Sequence, residues 1–213
     1  MLEMTNVTFG YPKNKTKVLN NKSISFEKGK TYALFGESGV GKTTTLMLLG
    51  GLEKPDEGII CLDGVNIADI GFQNLRRNKI AYVFQNYQLF PYMTAIENVL
   101  VAIRIYERNL EDEHKERCID LLDKIGIDRE DMNRPVNKLS GGQQQRVAIV
   151  RAIVNEADYI LADEPTGNLD EENAKKIMDL LSELAHEYNK CVIVVTHSSM
   201  IREMCDIQIK LER

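Results

Sequence analysis

The run Gly36, Glu37, Ser38, Gly39, Val40, Gly41, Lys42, Thr43, Thr44 follows directly on an apolar segment, TYALF (31–35), and opens a helical pattern, GKTTTLMLLGGL. It satisfies G-x-x-x-x-G-K-[ST], the phosphate-binding loop. Glycines are required there because backbone N–H groups must wrap the phosphates closely, where a side chain would obstruct them. Lys42 is expected to reach the β- and γ-phosphates of a nucleotide, and the Thr43 hydroxyl to ligate Mg²⁺. The strand–loop–helix context is what the motif needs. It commits the chain to an α/β fold with this loop at the carboxyl end of a parallel strand.

Three further short apolar runs read as buried parallel strands: IAYVF (80–84), YILA (159–162) and CVIVVT (191–196). Helical patterns separate them, as expected of an α/β sheet. The first runs into Gln85, the second into Asp163 and Glu164, the third into His197. Ligands of open α/β sheets bind beyond the carboxyl ends of strands, so these residues converge on one site. Magnesium prefers oxygen ligands and keeps several waters, a role that suits Asp163 directly or through water. Glu164 is then placed to orient or deprotonate an attacking water.

KLSGGQQQRVAIVRA (138–152) poses a separate problem. Ser140 and Gln143 form a capping box, and Val147, Ile149, Val150 and Ile153 mark a largely buried helix. Gly141 and Gly142 nevertheless occupy the first turn, where each costs about 1 kcal/mol relative to alanine. A bare helix N-terminus facing an anion accounts for them; a tight loop before the helix is the plainer alternative.

Composition narrows the class. At 213 residues, 43% hydrophobic and 28% charged, the chain reads as one substantial globular domain with room for an inserted subdomain. A net charge of -5 argues against a nucleic-acid partner. MLEMTNVTF lacks the basic start and apolar core of a signal peptide, and no apolar run approaches the roughly 20 residues of a membrane span. Membrane contact is therefore expected through a partner. Cys61, Cys118, Cys191 and Cys205 are scattered, which fits reduced thiols in a cytosolic compartment. ERNLEDEHKER (107–117) reads as a solvated turn and helix face, and His114 and His186 as surface residues without a chemical role.

With the phosphate loop, Gln85, LSGGQ, ILADEP and His197 in this order, the chain resembles the ABC-transporter ATPases from about Glu3 to Ile209. The resemblance implies a P-loop NTPase with a RecA-like core sheet and an N-terminal antiparallel β part. It implies one domain over 1–213, in which 1–86 and 151–213 form core and β part. The interval 87–150 would then be a helical subdomain carrying the signature motif. Amphipathic spacing at Cys118, Leu121, Leu122 and Ile125 agrees with helices there. LSGGQ would be that signature, with Ser140, Gly141, Gly142 and Gln143 facing the γ-phosphate of an ATP on a second copy's phosphate loop.

The resemblance further implies that Tyr11, in VTFGY, stacks on adenine. Gln85 would touch Mg²⁺ or water and sense a transmembrane partner. Asp170, closing GNLD, would lie at the dimer interface, and His197 would contact the γ-phosphate. The implied activity is ATP hydrolysis with Mg²⁺, in a homodimer formed on ATP binding at the inner face of the cell membrane and coupled to a permease.

Within the family, DEPTGNLD and VFQNYQLFPYMTAIENV look most like the MacB/LolD/FtsE-type branch, partners of FtsX-like permeases. That branch exports peptides or drugs, releases lipoproteins, or couples ATP hydrolysis to cell-envelope partners. Glu37 stands where the family's loop commonly has proline. The chain stops at DIQIKLER, short of the family's closing D-G-x-[IV] turn, so no regulatory C-terminal domain is expected. A soluble ABC ATPase acting on DNA would need long coiled coils, and no sustained heptads lie between Lys42 and Ser140. One acting on ribosomes would carry two cassettes, and a small-molecule kinase would leave LSGGQ unexplained.

Overall fold

Alternating apolar runs and helical patterns build two sheets in a computed structural model that describes residues 1–12, 16–105 and 111–212. The N-terminal part supplies β1 (Leu2–Phe9), β2 (Leu19–Phe26), β3 (Lys30–Phe35), α1 (Lys42–Leu49), β4 (Glu57–Leu62) and β5 (Val65–Asn66). Helices α2 (Ile67–Ile70) and α3 (Phe72–Asn78) then lead to β6 (Ile80–Val83). Next come α4 (Ala95–Arg104), α5 (Asp112–Lys124), α6 (Arg129–Met132), a 3₁₀ turn (Val136–Lys138) and α7 (Gly141–Ile153). The chain closes with β7 (Tyr159–Asp163), α8 (Glu171–His186), β8 (Cys191–Val195), α9 (Ser199–Glu203) and β9 (Ile207–Lys210).

Strands β2-β1-β4-β5 form an antiparallel sheet, and β6-β7-β8-β3-β9 a parallel one. Strands β3, β7 and β8 are apolar on both faces because two cores flank them. Tyr32 and Leu34 of β3, Tyr159 and Leu161 of β7, and Ile193 and Val195 of β8 face the core shared with α1 and the antiparallel sheet. Their alternates Ala33, Ile160, Ala162, Val192 and Val194 face the core built with α4, α5, α7 and α8. Period-two alternation in a sheet buried on both sides produces the continuous apolar runs seen in the sequence.

All four expected strands are present, with edges moved by a residue. β6 stops at Val83 rather than Phe84, β8 stops at Val195 rather than Thr196, and β7 extends through Asp163. The helix opened by GKTTTLMLLGGL ends at Leu49, because Gly50 caps it and Gly51 turns the chain at φ 62°. Cys118 and Leu122 of α5 and Ile125, which caps it, are fully buried, while Leu121 is partly buried against the same core. Residues 107–110 of the charged stretch lie outside the described residues; the remainder is the exposed start of α5. His114 there accepts from the Glu111 N–H at 3.1 Å, and His186 pairs with Asp206 at 2.9 Å. No described helix is long and apolar enough to cross a membrane.

Candidate functional site

At the carboxyl ends of β3, β7 and β8 a cleft of about 460 Å³ opens. Tyr11, Val18, Ser38, Gly39, Gly41, Lys42, Thr43, Thr44, Gln85, Asp163, Glu164, Val195 and His197 line it. Adjacent pairing of β7, β8 and β3 brings Asp163, His197 and Lys42, distant in sequence, to one edge.

The loop's shape is enforced sterically. Gly36 has φ 150°, and a Cβ there would lie 2.5 Å from the Leu211 carbonyl oxygen. Gly41, the N-cap of α1, has φ 102°, and a Cβ would lie 2.8 Å from Leu19 Cδ2. Only glycine meets both demands. Because Gly41 offers no side-chain cap, the first N–H groups of α1 are left for a ligand, with the helix dipole favouring an anion. The Lys42 ammonium donates to the carbonyls of Gly36 at 3.0 Å and Glu37 at 2.9 Å, folding back over the loop it would serve. Val40 is buried, and Glu37 and Ser38 are exposed.

Thr43 Oγ1 donates to Asp163 Oδ1 at 3.3 Å. Hydroxyl and carboxylate oxygen therefore meet at the cleft with Gln85 on its rim, a hard-oxygen set of the kind magnesium takes alongside phosphate and water. Burial pushes the Asp163 carboxyl above its ordinary value, opposed by the Thr43 hydrogen bond and the Lys42 charge. Glu164 is raised too, first by burial and then by Asp163, against His197 and Lys42. His197 Nε2 stands 3.4 Å from Glu164 Oε1. Tyr11 packs edge-on against Phe9 with ring centroids 5.0 Å apart, and its hydroxyl lies 3.4 Å from Thr44 Oγ1.

A raised folded-state pKa means stability that is complete below the unfolded value and lost as pH rises through the folded one. Ionised Asp163 therefore weighs against the nucleotide-free fold at neutral pH. Asp163→Asn is expected to raise its melting temperature there, by about 2–4 °C for each kcal/mol relieved. The difference should shrink as pH falls and the parent carboxyl takes up its proton. Thermal unfolding across pH checks this, and a lower melting temperature at neutral pH contradicts it.

The remaining expected site residues lie elsewhere. Ser140, Gly141, Gly142 and Gln143 begin α7 outside this cleft, with Ser140 and Gly141 exposed. The capping box is present: Gln143 N–H donates to Ser140 Oγ at 3.2 Å, and Ser140 N–H to Gln143 Oε1 at 2.9 Å. The N–H groups of Gly141 and Gly142, first in the helix, have no intrahelical acceptor. Asp170 caps α8, accepting from Asn173 N–H at 2.9 Å and Asn173 Nδ2 at 2.6 Å, bonds that hold its carboxyl below the ordinary value.

Comparison with known proteins agrees with this geometry. The family model for the ABC transporter matches residues 19–167. This chain belongs to the ABC transporter family. It is 45% identical to the ABC transporter ATP-binding protein YclH of Bacillus subtilis, over 100% of this chain and 94% of the relative. It is 40% identical to the lipoprotein-releasing system ATP-binding protein LolD of Legionella pneumophila, over 89% of this chain and 84% of that one. The dimeric post-hydrolysis structure of the cassette MJ0796 bound to ADP and Pi superposes with a TM-score of 0.91 at 36% identity. That match covers 100% of this chain and 97% of the other; MJ0796 comes from Methanocaldococcus jannaschii. The P-loop NTPase architecture expected from the sequence, with its antiparallel β part, is the one this ABC cassette has.

Sequence reasoning missed Val18 and Val195, which help line the cleft. A lone valine carries no motif, and these are legible only from their place in space.

Proposed function

We propose that this chain is the ATP-hydrolysing subunit of an ABC transporter, working as a head-to-tail pair that powers a membrane permease. One observation carries the pairing. Lys42, Thr43, Asp163, Glu164 and His197 share a cleft that the N-terminus of α7 does not reach, while Ser140 and Gly141 stand exposed. Each chain thus holds halves of two different sites, and two copies facing each other unite them. The dimeric MJ0796 structures support the arrangement.

In this reading Tyr11 stacks on adenine, and the backbone from Gly36 to Gly41, with Glu37, Ser38 and Val40 between the glycines, wraps the phosphates. Lys42 and the N–H groups of Thr43 and Thr44 neutralise the β- and γ-phosphates. Thr43, Gln85 and Asp163 would hold Mg²⁺, which when bound offsets charge on the phosphate oxygens. Glu164 accepts a proton from the attacking water, and His197 contacts the γ-phosphate and steadies Glu164. Ser140, Gly141, Gly142 and Gln143 of the second copy close over the same phosphate, and Asp170 lies between the copies. The helices from 87 to 150 form the subdomain that carries this signature end.

The similarity to LolD supports the lipoprotein-release and peptide- or drug-export branch. There the subunit sits at the cytoplasmic face of the membrane, held by its permease. Lys42→Ala tests the nucleotide assignment. Charge-assisted hydrogen bonds are worth about 1.5–3 kcal/mol each, so MgATP affinity is expected to fall by about tenfold to a hundredfold or more. Near-parental affinity in a calorimetric titration would overturn it.

A further inference from the structure

Gln145, on the second turn of α7, is 3% exposed. Its Nε2 donates to the main-chain carbonyl of Glu164 at 3.1 Å. Its Oε1 is buried without a hydrogen-bond partner. The amide cannot be turned to relieve this, since two carbonyl oxygens would then face each other. A buried orphan acceptor disfavours folding, so an apolar side chain of the same shape would serve stability at least as well. What the glutamine provides is the donor.

The recipient is unusual. Glu164 has φ 50°, in the left-handed region that a residue with a Cβ seldom occupies. Such conformations persist only where the surroundings over-determine them, and they cluster at functional sites. Three hydrogen bonds hold this one. Glu164 N–H donates to Val195 O at 3.1 Å, and Gly167 N–H donates to Glu164 O at 3.2 Å. The third comes from Gln145, on the helix that begins with Ser140, Gly141 and Gly142.

We infer that Gln145 is a positioning residue for Glu164. Through it, the helix whose first turn serves a second copy's nucleotide holds the carboxylate of its own chain in place. The inference rests on the assignment of Glu164 as the base. Gly167 N–H still bonds the Glu164 carbonyl when Gln145 is changed, so the fold survives while the carboxylate loses its aim.

Gln145→Met keeps the volume and removes both the donor and the orphan acceptor. Its kcat is expected to fall by about tenfold to a hundredfold, as small misplacements of catalytic groups do. KM for ATP and the melting temperature of the free protein should match the parent or improve. With Glu164→Gln added, ATP-driven dimerisation should equal that of Glu164→Gln alone. A kcat within about a factor of two of the parent overturns the inference. So does dimerisation that weakens in step with kcat, since Gln145 would then be serving the glycine end of its own helix.

Gln145→Glu gives an independent readout. A buried carboxyl regains an O–H donor when protonated, so the ratio of this variant's kcat to the parent's should rise as pH falls. A ratio flat with pH counts against the role. Glu164→Gln, assayed beside these, separates the two levels. If it turns over normally, the base assignment fails and this inference with it. If it is dead while Gln145→Met is fully active, only the positioning role fails.

Discussion

Glu164→Gln is expected to stop ATP turnover while leaving nucleotide binding intact, so that an ATP-bound dimer accumulates. The amide fills the same space beside the His197 imidazole but cannot accept the water's proton. General-base catalysis contributes about 10²–10⁴-fold, and the loss should fall in that range. The substitution also removes a negative charge from a half-buried position whose ionisation is already opposed by burial and by Asp163. Repulsion of the triphosphate should therefore fall, and the closed pair should last longer. Steady-state phosphate release and light scattering with MgATP check both halves. Turnover close to the parent's would remove Glu164 from the chemistry.

The second large effect concerns Gly142. A Cβ there would meet Leu169 Cδ2 at 3.1 Å, the far end of a side chain that can shift, and the backbone φ is not positive. An aspartate at a helix N-terminus is favoured by the dipole, so Gly142→Asp is expected to fold. Against a γ-phosphate it is repulsive by about 4 kcal/mol at 4 Å in a surface-like dielectric. Gly142→Asp alone and Lys42→Ala alone are therefore expected not to pair on addition of MgATP.

Mixed together, they form a heterodimer in which one composite site carries both lesions. The other site joins an intact phosphate loop to an intact glycine end. Pairing should return on mixing, measured by light scattering with Glu164→Gln present in every chain to remove hydrolysis. If each lesion alone pairs as well as its parent, the glycines are only a turn.

Much of this was legible in the residues because the physics concerned is local. The loop from Gly36 to Thr43 states its own backbone requirements, and the capping box at Ser140 and Gln143 forms as its spacing dictates. Four of the five parallel strands were legible because burial leaves runs with few polar alternates. The antiparallel sheet was less so. β2 reads LNNKSISF, with mixed burial and a polar face, and such strands resemble loops until a partner is named. β9, IQIK, is four residues with alternating exposure and meaning only beside β3.

The sequence by itself determined the phosphate-loop motif, that Lys42, Asp163 and His197 follow the ends of parallel strands, and that α7 starts on a capped pair of glycines, the features on which the proposed phosphate site rests. Each follows from a backbone conformation or a cap that nearby residues impose. The tertiary structure alone decided the order β6-β7-β8-β3-β9, which sets Asp163, His197 and Lys42 on adjacent strand ends. It alone placed the His197 imidazole 3.4 Å from Glu164, and Gln145 beneath the Glu164 carbonyl at 3.1 Å. Those contacts depend on which strands pair and how α7 packs on the sheet. Non-local burial decides both, and no short stretch of residues encodes it.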